Sequence, residues 1–121
     1  GKLSAFCGAV SAGYACGAAI TYMLGGNFNQ IANTIINTLA NTSGIICDGA
    51  KPSCAAKISS ALDAALLAHT MSMHDDVFHA DEGIVKDDLE KTIRAVGYIG
   101  REGMKSTDIE VLNIMIDKVC P

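Results

Sequence analysis

The stretch SAFCGAVSAGYACGAAITYML, residues 4–24, decides the fold because small residues recur at every turn of the helix that it predicts. Ser4 is a suitable N-cap, and Gly25-Gly26 provides the usual left-handed stop after Leu24. Glycine lowers helix propensity, so its repeated use indicates that a second backbone must approach closely. We therefore expect a central helix of small residues packed tightly against its neighbours.

Charge is absent from this part of the chain: no Lys, Arg, Asp or Glu occurs in residues 3–47. A membrane span would explain an uncharged run, but the glycines, serines and following asparagines would be costly in lipid. A helix covered by other protein is the better interpretation, so no membrane association is expected. With a pI near 5.1 and no basic cluster, nucleic acid is not an expected partner either.

The chain start also has no secretory character, since Gly1-Lys2 is followed by small residues well past any cleavage point. We expect an internal fragment of a cytoplasmic protein. At 121 residues, half of them hydrophobic, residues 1–121 fit a single domain with one modest core.

Two more helices follow the first in the sequence pattern. Apolar residues at intervals of three to four predict a helix from Asn27 or Asn29 to about Gly44. Pro52 and Ser53 mark the next start, so a third helix should begin at Cys54.

The remaining pattern predicts two C-terminal helices. Asp87 with Glu90 forms a capping box for a helix over about residues 88–99, and Thr107 with Glu110 forms another. The intervening GREGMKS, residues 100–106, is predicted to be a turn. The expected fold class is all-α, a compact bundle of about five helices.

Five cysteines give the chain its chemical interest, and the segment GIICDGAKPSCAAK, residues 44–57, holds two of them. Cys47 is predicted on a glycine-containing turn, Cys54 in the first turn of the third helix, and Cys7 in the first turn of the first helix. Helix N-termini favour anionic thiolates, so these positions suit a metal site. Spacing alone leaves inert buried thiols and metal ligation about equally open, and it does not select the metal. Cys16, among alanines in mid-helix, is interpreted as packing.

Three segments carry a resemblance to a known family: FCGAVSAGYACGAA at residues 6–19, GIICDGAKPSCAAKISSALDAALLA at residues 44–68, and GREGMKSTDIEVLNIM at residues 100–115. In this order they resemble the C-terminal region of the serine dehydratase α chain family, in particular its L-cysteine desulfidase branch. The resemblance implies an oxygen-sensitive [4Fe-4S] lyase whose cluster is held by Cys7, Cys47 and Cys54. It also implies that the fourth iron keeps an open position for the substrate.

The same resemblance implies the reaction. Loss of the α-proton and of the β-thiol of L-cysteine, or the β-hydroxyl of L-serine, gives aminoacrylate, which hydrolyses to pyruvate and ammonia. In some serine dehydratases a C-terminal cysteine occupies the free iron of the resting enzyme; the ending KVCP makes Cys120 a candidate for that role, which the resemblance leaves open. Lys51, beside the thiol turn, is a candidate for the substrate carboxylate, with an ordinary surface lysine as the alternative.

Members of that family are several times longer than this chain, which limits what the fragment is expected to do. The proton-abstracting residue is expected in an N-terminal region that precedes these residues, so no catalytic residue is assigned here. We expect the fragment alone to be inactive, to self-associate through uncovered apolar surface, and to lose its cluster in air. The alternative is a non-catalytic helical module whose thiols hold zinc or an iron-sulfur centre for electron transfer or sensing. A third interpretation, a metal-free scaffold, predicts that the thiols lie far apart.

The histidines form a separate candidate metal site, since His69, His74 and His79 recur every five residues near several acids. Steps of five residues turn a helix by about 140° each, so the three rings would not share a face. A solvated acidic loop over residues 74–83 is the favoured interpretation.

Overall fold

A computed structural model describes residues 4–118. Its helices are α1 (Gly8–Met23), α2 (Phe28–Thr42), α3 (Ser53–Met73), α4 (Leu89–Tyr98) and α5 (Lys105–Met115), with a π-helical segment (Ile99–Gly103) between the last two. Over the described residues there is no strand, and one isolated antiparallel bridge joins Phe6 to Ile46. The prediction of an all-α domain with five helices is confirmed.

Glycines bring α1 into close contact with α3, as the sequence predicts. A Cβ at Gly13 would stand 3.0 Å from both the Cβ and the carbonyl oxygen of Ala61. A Cβ at Gly17 would stand 3.1 Å from Ala65 Cβ and 3.0 Å from Thr34 Cγ2. Only glycine leaves room for this approach without displacing α2 or α3.

α2 begins with a complete capping box. The Asn27 side chain accepts from Gln30 N, and the Gln30 side chain accepts from Asn27 N. α1, α2 and α3 each pack against the other two, and α2 also packs against α4. These contacts build the core of the domain around α2, whose buried face includes Leu39 and Ile36.

Hydroxyl groups hold the centre of these three helices together. Thr34 Oγ1 on α2 lies 2.7 Å from Thr21 Oγ1 on α1 and 2.8 Å from Ser72 Oγ on α3. Thr21 Oγ1 also lies 2.8 Å from His69 Nδ1. All buried side-chain nitrogen and oxygen atoms among the described residues have a partner, so the polar core is fully hydrogen-bonded.

Four predicted helix starts differ from the observed ones. α3 begins at Ser53 with Pro52 in the cap position, one residue before the predicted start at Cys54. α1 begins at Gly8 with Cys7 as N-cap, because Ser4 Oγ instead donates to Gly100 O and accepts from Phe6 N. The cap of α4 is Asp88 rather than Asp87, since Asp88 has the extended backbone that a cap requires and accepts from Lys91 N.

Nor does the last helix use the predicted Thr107 cap. It begins at Lys105 without a side-chain cap, directly after the π-helical segment. The predicted turn at residues 100–106 is thus largely helical. The carbonyl of Gly100 is bonded by Ser4, and a Cβ at Gly100 would stand 3.2 Å from Phe6 Cβ, so the wide turn accommodates the segment before α1.

Much of the outward surface of α1 and α3 is apolar. α3 exposes four large aliphatic side chains, Ile58, Leu62, Leu66 and Leu67. α1 exposes Ala12, Ala15, Cys16 and Ala19 beside Tyr22 and Met23. In the part of the chain that the structure describes, no helix has the length and apolarity to cross a membrane.

Candidate functional site

Cys7 and Cys47 are brought together by the short bridge between Phe6 and Ile46. Cys7 N donates to Ile45 O at 3.2 Å, and Cys47 N donates to Ala5 O at 2.6 Å. In such a ladder, side chains alternate between the two faces, so both cysteines lie on the face opposite Phe6. Diagonal neighbours of this kind have Cα atoms about 7–8 Å apart.

Burial differs between the two thiols. Cys7 is only 3% exposed and belongs to the apolar core cluster with Val10, Leu39 and Val96. Cys47 is half-buried and packs against the edge of that cluster. Cys7 is thus part of the core, while Cys47 packs against the core and stays partly accessible to solvent.

The third thiol, Cys54, lies half-buried in the first turn of α3, and its amide donates to Lys51 O at 2.8 Å. Lys57 follows at i+3 and therefore lies on the same face of the helix. Its Nζ donates to Ile46 O at 2.8 Å and to Asp48 Oδ1 at 2.5 Å. These two bonds hold the residues on either side of Cys47 against the start of α3.

The charges around Cys47 form one connected group. The hydrogen bond that Lys57 donates to Asp48 raises the pKa of the Lys57 ammonium, and negative charge on Cys7 and Cys47 would raise that pKa further. The pKa of the Asp48 carboxyl is lowered, first by its hydrogen bond from Lys57 and also by the positive charges of Lys57 and Lys51. Lys57 is therefore the cation shared by Asp48 and two of the thiols.

The turn between Cys47 and Cys54 depends on Gly49, whose φ of +88° favours glycine. Lys51 is exposed on this turn and its amide donates to Gly49 O at 2.9 Å. A Cβ on Gly49 would meet Lys51 Cε and Met115 Cε, each at 3.9 Å. The end of α5 thus reaches the loop that carries Cys47.

The predicted ligands therefore lie on segments that meet beside Lys57, but they do not form a ready-made metal cage. Over residues 4–118, no group of three or more His, Cys, Asp or Glu side chains is arranged to hold a metal ion. The donor set nevertheless fits a [4Fe-4S] cluster in its chemistry, because three free thiols lie on neighbouring segments and Lys57 bonds the two residues that flank Cys47, where it can balance thiolate charge. Cys120 lies outside the described residues.

The other candidate ligands lie elsewhere. Cys16 is exposed on the outer surface of α1. His69 bonds Thr21, and His74 Nδ1 lies 2.8 Å from Thr70 O at the end of α3. His79 is in the loop that follows α3, which agrees with the interpretation of residues 74–83 as a loop.

Lys57 and Asp48 are the site residues that sequence reasoning missed. The signal was present, because Lys57 follows Cys54 at a spacing that predicts a shared helix face beside the thiol segment. The bridge between Phe6 and Ile46 has no such signal, since it joins residues forty positions apart through backbone atoms.

The domain also has a cleft of about 610 Å³. It lies between the start of α1, α4 and the π-helical segment, and Phe6, Tyr14, Ile93 and Arg101 line it. Its lining among residues 4–118 includes no cysteine. Leu39 and Val96, which pack with Cys7 in the core cluster, also line it.

These features define an all-α domain in which three cysteine-bearing segments meet, with Lys57 tying the Cys47 loop to the start of α3. The chain belongs to the serine dehydratase alpha chain family, whose model matches residues 1–113. A UPF0597 protein of Treponema denticola is 58% identical over 96% of this chain and 27% of its own length. A UPF0597 protein of Finegoldia magna is 54% identical over 98% of this chain and 28% of its own. The chain thus spans about a quarter of the length of these relatives, and no solved structure matches it.

Proposed function

We propose that this chain is the cluster-bearing part of a [4Fe-4S] lyase that eliminates hydrogen sulfide from L-cysteine or water from L-serine. Membership of the serine dehydratase alpha chain family supports a relation to such lyases. The observation that carries the proposal is the meeting of the Cys7, Cys47 and Cys54 segments at Lys57.

In this proposal Cys7, Cys47 and Cys54 hold the cluster as thiolates. Cys7 is anchored in the core and in the bridge, so it provides the fixed ligand. Cys47 and Cys54 lie at the two ends of a loop that turns at Gly49, and rearrangement of this loop is proposed to bring their sulfurs to a common centre. When bound, the cluster supplies an iron that acts as a Lewis acid toward the substrate's carboxylate and β-substituent.

The overall reaction removes the α-proton and the β-thiol of L-cysteine as hydrogen sulfide and leaves aminoacrylate. Addition of water then gives pyruvate and ammonia. Lys51, exposed on the turn beside Asp48, is proposed to receive the substrate carboxylate. The base that takes the α-proton is proposed to lie in the part of the relatives' length that this chain does not span.

We further propose that this additional part covers the apolar surface of α1 and α3. Ile58, Leu62, Leu66 and Leu67 are each at least 41% exposed, and the neighbouring surface of α1 carries no charge. A continuous apolar surface of this kind is typical of an interface. By itself, the chain is expected to self-associate through it.

The test is anaerobic reconstitution of the chain with iron and sulfide, followed by electron paramagnetic resonance of the reduced cluster. The expected result is a cluster whose spectrum changes on addition of L-cysteine or L-serine. Cys54→Ser should abolish cluster retention, whereas Cys16→Ser, outside the proposed ligand set, should retain it.

Two outcomes would contradict the proposal. A cluster that is indifferent to both amino acids favours a closed centre for electron transfer or sensing. Equal cluster retention in the Cys54→Ser and Cys16→Ser variants would overturn the ligand assignment.

A further inference from the structure

Lys57 differs from the other paired lysines of the domain in what it joins. Its ammonium bonds one backbone carbonyl and one carboxylate, from Ile46 and Asp48, which flank Cys47. Its own helix carries Cys54 one turn earlier. The side chain is 23% exposed, compared with 58% for Lys91 in its pair with Asp87.

We propose that Lys57 is a positioning residue that holds the Cys47 loop against the first turn of α3 and thereby keeps Cys47 and Cys54 close together. This role concerns the cluster site of the proposed function and rests on it. Lys57 itself is not assigned a contact with substrate.

The first argument is geometric. On the side of α1, the bridge at Phe6 and Ile46 fixes the loop through backbone bonds. On the side of α3, two hydrogen bonds from Lys57 connect residues 46–48 to the helix. Within residues 4–118, no other hydrogen bond makes this connection. Without them, the distance between Cys47 and Cys54 would depend on a loop that turns at Gly49.

The second argument concerns charge. Three thiolates in one place repel one another, and a neighbouring cation offsets that repulsion. The ammonium of Lys57 bonds the residues on both sides of Cys47, so its positive charge is held next to that ligand. Asp48 accepts a hydrogen bond from the ammonium and so keeps it at this position. Hydrogen-bond partners orient the ligands of metal sites in the same way.

An ordinary surface ion pair is the alternative, and such pairs contribute little. Lys91 provides the matched comparison, because it bonds Asp87 at 2.9 Å, has a raised pKa for the same reason, and lies on α4 away from the thiols. Replacing either lysine by methionine removes one cation and keeps most of the length of the unbranched side chain.

The experiment measures how strongly the fold holds Cys47 and Cys54 together without any cofactor. The chain carrying Cys16→Ser and Cys120→Ser is equilibrated with reduced and oxidised glutathione. Each oxidised glutathione takes two electrons and two protons from Cys47 and Cys54, which join in a disulfide, and two reduced glutathione molecules are released. Peptide mapping identifies the pair, and its equilibrium constant gives the effective concentration of one thiol at the other.

Lys57→Met is expected to lower this effective concentration about tenfold, as the loss of hydrogen bonds to a charged group predicts. Lys57→Arg should restore most of it, because guanidinium also donates to a carbonyl and a carboxylate. Asp48→Asn, which leaves the bond to Ile46 O, should have a smaller effect, and Lys91→Met none. If Lys57→Met unfolds the chain, as circular dichroism would show, the Asp48→Asn and Lys57→Arg variants decide the question.

The same variants are then reconstituted anaerobically with iron and sulfide, and cluster retention is expected to fall about tenfold for Lys57→Met. Equal disulfide constants for Lys57→Met and the unsubstituted chain, or no Cys47–Cys54 disulfide in any variant, would overturn the positioning role. A constant that depends on Lys57 in a chain that never retains a cluster would instead contradict the proposed function and leave the positioning role intact.

Discussion

The contact between α1 and α3 and the loop that carries Cys47 are built on opposite principles. In the contact, Gly13 and Gly17 lie against Ala61 and Ala65 with no room for one more carbon atom. In the loop, Gly49 and Ala50 are exposed, and the positions of the thiols depend on the Phe6–Ile46 bridge and on Lys57. One region is fixed by close packing, and the other is fixed by a few hydrogen bonds.

This difference separates stability from function along the chain. Close packing resists any change in volume, so substitutions in the helix contact should affect the free energy of unfolding. A loop held by polar bonds can adjust when a ligand binds, so substitutions there should affect binding more than folding. The predictions below test this separation, in order of decreasing effect on stability.

Gly13→Leu is expected to have the largest effect, a loss of about 3 kcal/mol in the free energy of unfolding, because the new side chain would overlap Ala61. Urea denaturation followed by circular dichroism measures it. Gly97→Leu is the matched control: a Cβ there meets nothing within 4 Å, and leucine is the better helix former. Equal losses for the two variants would show that the contact is not tightly packed.

Thr34→Val is expected to cost about 1–3 kcal/mol, because it leaves the buried hydroxyls of Thr21 and Ser72 without their shared partner. The comparison is Thr70→Val on α3, where the hydroxyl bonds only Leu66 O on an exposed surface. That variant should stay within about 0.5 kcal/mol of the unsubstituted chain. If Thr34→Val leaves the free energy of unfolding unchanged, packing alone holds the three helices together.

The sequence predicted the packed region better than it predicted the loop, for a physical reason. The close approach at Gly13 and Gly17 could be predicted because small residues at helical spacing lower helix propensity and are typical of tight helix contacts. Asn27 likewise indicates the start of α2 through its own side chain. These signals are local, and the structure confirms them.

The sequence predictions failed where hydrogen bonds to distant backbone atoms determine the local structure. Ser4 looks like a helix cap, but its hydroxyl is used by Gly100, ninety-six positions away, and Cys7 becomes the N-cap instead. The π-helical turn at Ile99–Gly103 contains Gly100, the partner in this long-range contact. At the site, the cysteines were proposed as ligands through family resemblance. The spacing of Lys57 from Cys54 was a signal that the sequence analysis did not use, and Lys57 was found through its hydrogen bonds.

Asp88→Ala tests the N-cap of α4, which the sequence analysis placed one residue too early, at Asp87. Removing the N-cap of α4 is expected to cost about 1 kcal/mol, because Lys91 N loses its acceptor. Asp87→Ala removes only an exposed ion pair with Lys91 and should change stability by less than about 0.5 kcal/mol. Thermal denaturation of the two variants measures the difference, and the reverse order would restore Asp87 as the cap.

Cys54→Ser should have the smallest effect on folding, within about 0.5 kcal/mol, because the residue is half-buried in a first helical turn where serine is well tolerated. Cys7→Ser, by contrast, introduces a hydroxyl into the apolar cluster with Val10 and Leu39, and a cost of about 1–2 kcal/mol is expected. Both variants should fail to retain a cluster after anaerobic reconstitution. Denaturation curves measure the change in stability, and iron content measures cluster retention. If Cys54→Ser destabilises the chain as much as Cys7→Ser does, the loop belongs to the packed core. The contrast between the two regions would then be wrong.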